Sequence, residues 1–175
     1  MIQQLSNSTI IRDVPGLLQI TDLGNGLGAV TRTLVRGAPA ANQAALADII
    51  LADNTGAVAT VLRLPQMPVG SVITFILGMD DAGASFEIQE LATDGVTFDR
   101  VATRNAVAAN LAFASVAAPS TVGGADVPAA FTGLLTNVGG TAASSWVLQL
   151  TKIREGSGAA ISDGWIVTSF SRQSA

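Results

Sequence analysis

Histidine, cysteine and tyrosine are absent from all 175 residues, and lysine occurs once, as Lys152. Without imidazole or thiol the chain lacks the usual proton shuttle near neutral pH, the thiolate nucleophile and the soft-metal ligands. The missing cysteine also excludes a disulfide scaffold and a zinc knuckle. It leaves the compartment open, since such a chain works in reducing and oxidising surroundings alike. Charge is scarce: 13% of residues are charged, about half the usual share. The net charge of −4 and a pI near 4.5 give no general attraction for nucleic acid or anionic lipid. Arg32 and Arg36 are the one modest basic pair, and no aromatic residue interleaves with them. Long apolar runs are missing too. Ser71–Gly78 and Ala106–Pro119 fall short of the ~20 apolar residues that a membrane-crossing helix needs. Met1 to Gln4 carry no basic region followed by an apolar run, so no secretion signal is expected.

What remains is 49% hydrophobic, with a mean hydropathy of +0.47. The length suits one domain with a sizeable core. Such a chain has little polar surface for a lone molecule, and burial against other chains resolves the imbalance. The composition favours structure over chemistry.

Apolar residues alternate more often than they recur at helical spacing. Ala57–Leu64 is a strand-like run closed by Pro65 and Pro68, and Asn54-Thr55-Gly56 before it supplies turn chemistry. Asp48–Leu51 would be the other arm of a hairpin; a short helix over Asn42–Leu51 competes, since Ala45, Leu46, Ile49 and Ile50 fall on one stripe. Ser71–Leu77 is apolar on both faces, as a central strand covered on two sides would be. Phe86–Glu90, the turn Thr93-Asp94-Gly95 and Val96–Phe98 follow. Residues 104–118 are alanine-rich and read either as helix or as a strand around Asn110–Val116; Pro119–Pro128 reads as a loop. Thr132–Asn137, Ser145–Ile153 and Ala160–Ser169 are further strands, and no internal period of 20–50 residues stands out.

About eight short strands separated by Gly, Pro, Asn and Asp indicate an all-β fold, a β-sandwich or jelly-roll-like module. Residues 1–20 would be an extended N-terminal arm or edge strand, and residues 21–175 a single sandwich domain. Phe75, Phe86, Phe98, Trp146 and Trp165 are the large core fillers.

Candidate sites have bland counterparts. Gly24-Asn25-Gly26-Leu27-Gly28 lacks the spacing of a phosphate-binding loop and reads as a turn. Asp80, Asp81, Asp94 and Asp99 could converge on a cation at one end of a sandwich, though Asp also simply favours turns. Glu87 and Glu90 fall on opposite faces of their strand, which speaks against a glycosidase pair. No Gly-x-Ser-x-Gly elbow occurs. No catalytic residue, cofactor or metal is therefore expected. Eight arginines to one lysine favour planar, bidentate contacts of the kind used at interfaces. Arg63, Arg100, Arg104 and Arg154 are the candidates, with intramolecular pairing the equal alternative.

The stretch Ser85–Ala102, a strand with an internal Gln leading through Asp94-Gly95 to Thr97-Phe98, resembles a β-hairpin of tailed-phage virion proteins. A similar hairpin occurs in discoidin-like carbohydrate-binding sandwiches. Leu64–Thr74 is similar to the Leu-Pro, loop, Gly, strand phrasing of phage fibre and capsid-surface β-domains. The resemblance implies a β-rich virion component on the capsid surface, often trimeric, and carries over no catalytic residue. The expected function is a capsid decoration or cement subunit, soluble in the host cytoplasm before assembly. Its partners would be itself, as a homotrimer, and the major capsid protein. A fibre or tail-tip domain that binds surface glycan is the alternative. Neither reading includes nucleic acid or membrane.

Overall fold

The computed structural model describes residues 2–5, 8–11, 18–81, 83–101, 134–136, 144–155 and 164–174, and every regular element among them is a strand. β1 (Ile2–Leu5) and β2 (Ser8–Ile11) form a small antiparallel sheet of their own, and β2 lies beside β3 (Ile20–Asp22). The segment expected as an extended arm thus contains a hairpin, and its last residue, Ile20, already belongs to the main body. The chain then alternates between two larger sheets.

Sheet I is ordered β3, β6 (Ile49–Asn54), β8 (Val72–Met79), β12 (Ser144–Lys152) and β13 (Trp165–Ser174). Sheet II runs β5 (Gln43–Ala45), β4 (Thr31–Val35), β7 (Ala59–Leu64) and β9 (Ser85–Leu91). β10 (Phe98–Arg100) and β11 (Leu134–Thr136) follow one another along the far side of β9.

β3/β4, β6/β7 and β8/β9 are three successive turns of a two-sheeted roll. β3, β6 and β8 are mutually parallel in sheet I, as are β4, β7 and β9 in sheet II. The antiparallel strands β10 to β13 complete the roll. The fold is all-β with two principal sheets. The parallel pairing differs from the antiparallel Greek-key connectivity of a jelly roll.

Side chains alternate strictly. In β6 and β7 every second residue is buried, and the same holds for Ile73, Phe75, Leu77 and Met79 in β8. The inward rows of both sheets fuse into one core, in which Phe75, Phe86, Trp146 and Trp165 are fully buried. Phe98 departs from the expectation. It lies on the outward side of β10, half-buried, beneath the Arg63 guanidinium at 4.7 Å.

Two further expectations are corrected. Residues 42–51 are not helical: they hold β5 and the start of β6. Nor do Asp48–Leu51 and Ala57–Leu64 pair as a hairpin, because β6 and β7 lie in opposite sheets. Asn54 makes the corner. Its buried Nδ2 donates to the carbonyls of Val58 and Ser85, and its Oδ1 accepts from the Gly56 amide. A side chain that satisfies backbone groups at the end of both sheets lets the chain cross the core without orphaned polar atoms. The second hairpin is as expected: β9 and β10 pair antiparallel around Gly95, which has φ +73°. The expected strand at Asn110–Val116 and loop at Pro119–Pro128 lie outside the described residues.

The core contains one ionised cluster. Glu90 on β9 and Lys152 on β12 are almost wholly buried and meet at 2.6 Å. Glu90 Oε1 also accepts from the Met67 amide at 2.8 Å, and Oε2 accepts from Trp165 Nε1 at 2.7 Å. Glu155 approaches Lys152 Nζ at 3.5 Å. One carboxylate thereby ties sheet II to two strands of sheet I and to the β7–β8 corner. Removing one member of such a pair strands the other charge in the core. Glu90→Leu is expected to lower the unfolding free energy by about 3–5 kcal/mol, read from urea denaturation. Glu90→Leu with Lys152→Met should recover part of that loss, and an equal loss in the double variant would argue against the pairing as its source.

Candidate interaction surface

The outward faces of the two sheets differ in chemistry. On sheet II the outward residues of β7, β9 and β10 form a hydrogen-bonded ladder. Arg63 Nε donates to Gln89 Oε1 at 2.9 Å, Gln89 Nε2 donates to Glu87 Oε1 at 2.7 Å, and Arg100 Nη2 donates to Glu87 Oε2 at 2.7 Å. The hydrogen bond from Arg100 holds the Glu87 carboxyl below its usual range, and Glu87 raises Arg100 in return. This face satisfies its own polar groups.

Sheet I carries aliphatic residues instead. Cross-strand register sets Asp22, Leu51, Ile76, Val147 and Ser171 in one row across all five strands. A second row runs Ile20, Ile49, Thr74, Gln149 and Ser169. Val72 aligns with Thr151 and Ile166 in a third. Ile76 is 37% exposed and Val72 46%, although both sit on the central strand. Ser71–Leu77 is therefore central in pairing but covered on one face only, a correction to the two-sided burial that its sequence implies. Parallel strands seldom leave an aliphatic face to water, and β3, β6 and β8 do so here.

Asp53 interrupts this face beside Gly78. Its Oδ1 is buried with no hydrogen-bond partner among the described residues, and a Cβ at position 78 would stand 2.6 Å from it. Burial, and then the charge of Asp80, pushes the Asp53 carboxyl above its ordinary value.

The remaining sequence candidates disperse. Arg63 and Arg100 are placed in the ladder on sheet II, with intramolecular partners. Arg154 lies half-buried after β12, and Arg104 is outside the described residues. Asp80 and Asp81 lie in the loop before β9 while Asp94 lies in the loop after it, so the acids do not converge. Asp94 caps its own turn, accepting from the amides of Val96 and Thr97 and from the Thr97 hydroxyl; these bonds hold its carboxyl low. Among the described residues no three acidic side chains gather as a metal site would require. Gly24, Gly26 and Gly28 all have positive φ, as their reading as a turn demands. A cavity of about 400 Å³ opens at the β7–β8 corner, lined by Gln19, Arg36, Leu46, Asp48, Met67 and Ile73 among others. Arg36 spans its wall, donating to the Gln66 carbonyl at 3.0 Å.

Sequence reasoning missed both Glu90 and the exposed aliphatic row. The first had a visible signal, since Glu90 shares the inward parity of Phe86 and Ile88. The second had none, because an apolar outward residue reads like an inward one.

Comparison with family models, with curated proteins and with solved structures finds no match to this chain.

A carboxyl whose pKa is raised by folding weakens the fold as it ionises: stability declines as pH rises from the unfolded value of 3.8 through the raised folded value. Asp53→Asn should therefore melt higher than the parent at pH 7, with the difference shrinking as pH falls towards 3.8. Thermal melts from pH 3 to 8 test this, and a pH-independent difference would remove the carboxyl as its cause.

Proposed function

We propose that this chain is a structural assembly protein, a capsid decoration or cement subunit of the tailed-phage virion kind, which works by burying the aliphatic face of sheet I against other chains. The observation that carries the reading is the row Leu51, Ile76 and Val147 on the outward side of that sheet, around an exposed Ile76. An apolar patch centred on a regular, rigid sheet is a surface suited to docking. The resemblance of Ser85–Ala102 and Leu64–Thr74 to virion β-domains supplies the setting. In this role the protein adds stability to a particle through buried area and many weak, simultaneous contacts.

The glycan-binding alternative has less support. Trp146 and Trp165 are both fully buried, so neither presents a ring on which a sugar could stack. The loop acids lie at opposite ends of β9.

Co-sedimentation with empty capsids tests the proposal. The parent chain is expected to bind, and Ile76→Asp to bind about tenfold more weakly or worse, a loss of about 1.4 kcal/mol or more, with unchanged far-UV circular dichroism. A chain that never sediments with capsids, or an Ile76→Asp variant that binds as well as the parent, would overturn it.

A further inference from the structure

We infer that the face of sheet I is covered by a second copy of this chain, packed face to face about a two-fold axis that runs along β8. The inference rests on the reading of this face as an assembly surface and names its occupant.

Two features of the face point to self-pairing. The first is area. The five strands of sheet I comprise 3, 6, 8, 9 and 10 residues. At about 4.8 Å between strands and about 3.3 Å per residue they cover about 570 Å². Two such faces in contact bury about 1,100 Å², which passes the ~1,000 Å² that a specific interface needs and predicts a modest affinity.

The second is the placement of polar groups. β8 is the middle strand of five. Both acids lie to one side of it, Asp22 on β3 and Asp53 on β6, while Ser145 and Ser171 lie to the other, on β12 and β13. Asp22 and Ser171 end the same row, and Asp53 and Ser145 flank Gly78 in another. Both serines are exposed, and neither hydroxyl has a partner among the described residues.

An axis along β8 exchanges the two sides. Ile76 then meets Ile76 of the second copy and Leu51 meets its Val147. Asp22 faces its Ser171, and Asp53 faces its Ser145. Ile49 and Ile20 face its Gln149 and Ser169, towards the rim. Each carboxylate thus acquires a hydroxyl donor at the edge of an aliphatic centre. An axis across the strands would set Asp22 against Asp22, or against Ile20 once shifted by one row. Like charges in contact, or a carboxylate against an aliphatic, are both costly. The pattern of charge therefore selects one of the two ways of facing two copies, and strand directions stay aligned as sheet packing favours. A pair also replaces the threefold set that the virion resemblance implies.

The absence of cysteine makes the test clean. Light scattering and sedimentation equilibrium on the full chain, without capsids, should give a concentration-dependent dimer that Ile76→Asp converts to monomer. Under mild oxidation Ile76→Cys should form a covalent dimer. Asp53→Cys and Ser145→Cys should each stay largely uncoupled alone and cross-link when mixed. A monomer or a trimer at high concentration would overturn the inference, as would an Asp53→Cys chain that couples to itself as readily as to Ser145→Cys. Ile76→Cys keeps an apolar side chain, so its result stands even where the aspartate variant does not fold. A monomer that still binds capsids and loses them on Ile76→Asp would overturn the pair and leave the virion reading intact. A dimer indifferent to capsids would do the reverse.

Discussion

The Glu90 carboxylate is the point on which the arrangement of the two sheets turns. It reaches from β9 across the core to Lys152 on β12 and Trp165 on β13, and it caps the Met67 amide at the corner between β7 and β8. Backbone bonds from Lys152 to Ser71 and from Gly70 to Lys152 close the same corner. The lone lysine is thus spent in the interior. A buried ion pair is a weak source of net stability, yet it penalises every wrong register. Shifting β12 by one residue would turn Lys152 outward and leave the Glu90 charge alone among Leu64, Ile88 and Leu150. Apolar residues in both places would forgive such a slip far more readily.

Around that tie the roll repeats itself three times, and the two exteriors it generates are unlike. Sheet II ends in a self-satisfied ladder of Arg63, Gln89, Glu87 and Arg100, which solvates a surface made largely of parallel strands. Sheet I presents Leu51, Ile76 and Val147 to the outside, with acids confined to one flank. Few charges are available to this chain, and the structure places several of those it has on one face. The imbalance is the physical link between composition and the assembly role proposed above.

Much of the strand content was legible in the sequence, since period-two burial needs no tertiary knowledge. β7, β8, β9 and β12 appear close to where alternation puts them, and the turn at Gly95 follows from its chemistry. The inward position of Glu90 could be inferred from the parity of Phe86 and Ile88. The partner of β6 could not. Asn54-Thr55-Gly56 is equally good chemistry for a tight hairpin and for a corner that sends the chain across the core. What separates them is the reach of the Asn54 amide to Ser85, a residue thirty-one positions away. The threefold structural repeat was hidden for a related reason: each strand requires only alternating burial, and the connecting loops differ in length and composition.

Local pattern was enough to establish an all-β chain with a dense aliphatic and aromatic interior, poor in reactive side chains. Which strands became neighbours, which apolar residues ended up outside, and how one acid came to bind the chain's single ammonium all arose from long-range pairing. Alternation tells a side chain which way to point relative to its own strand, but carries no record of what lies beyond.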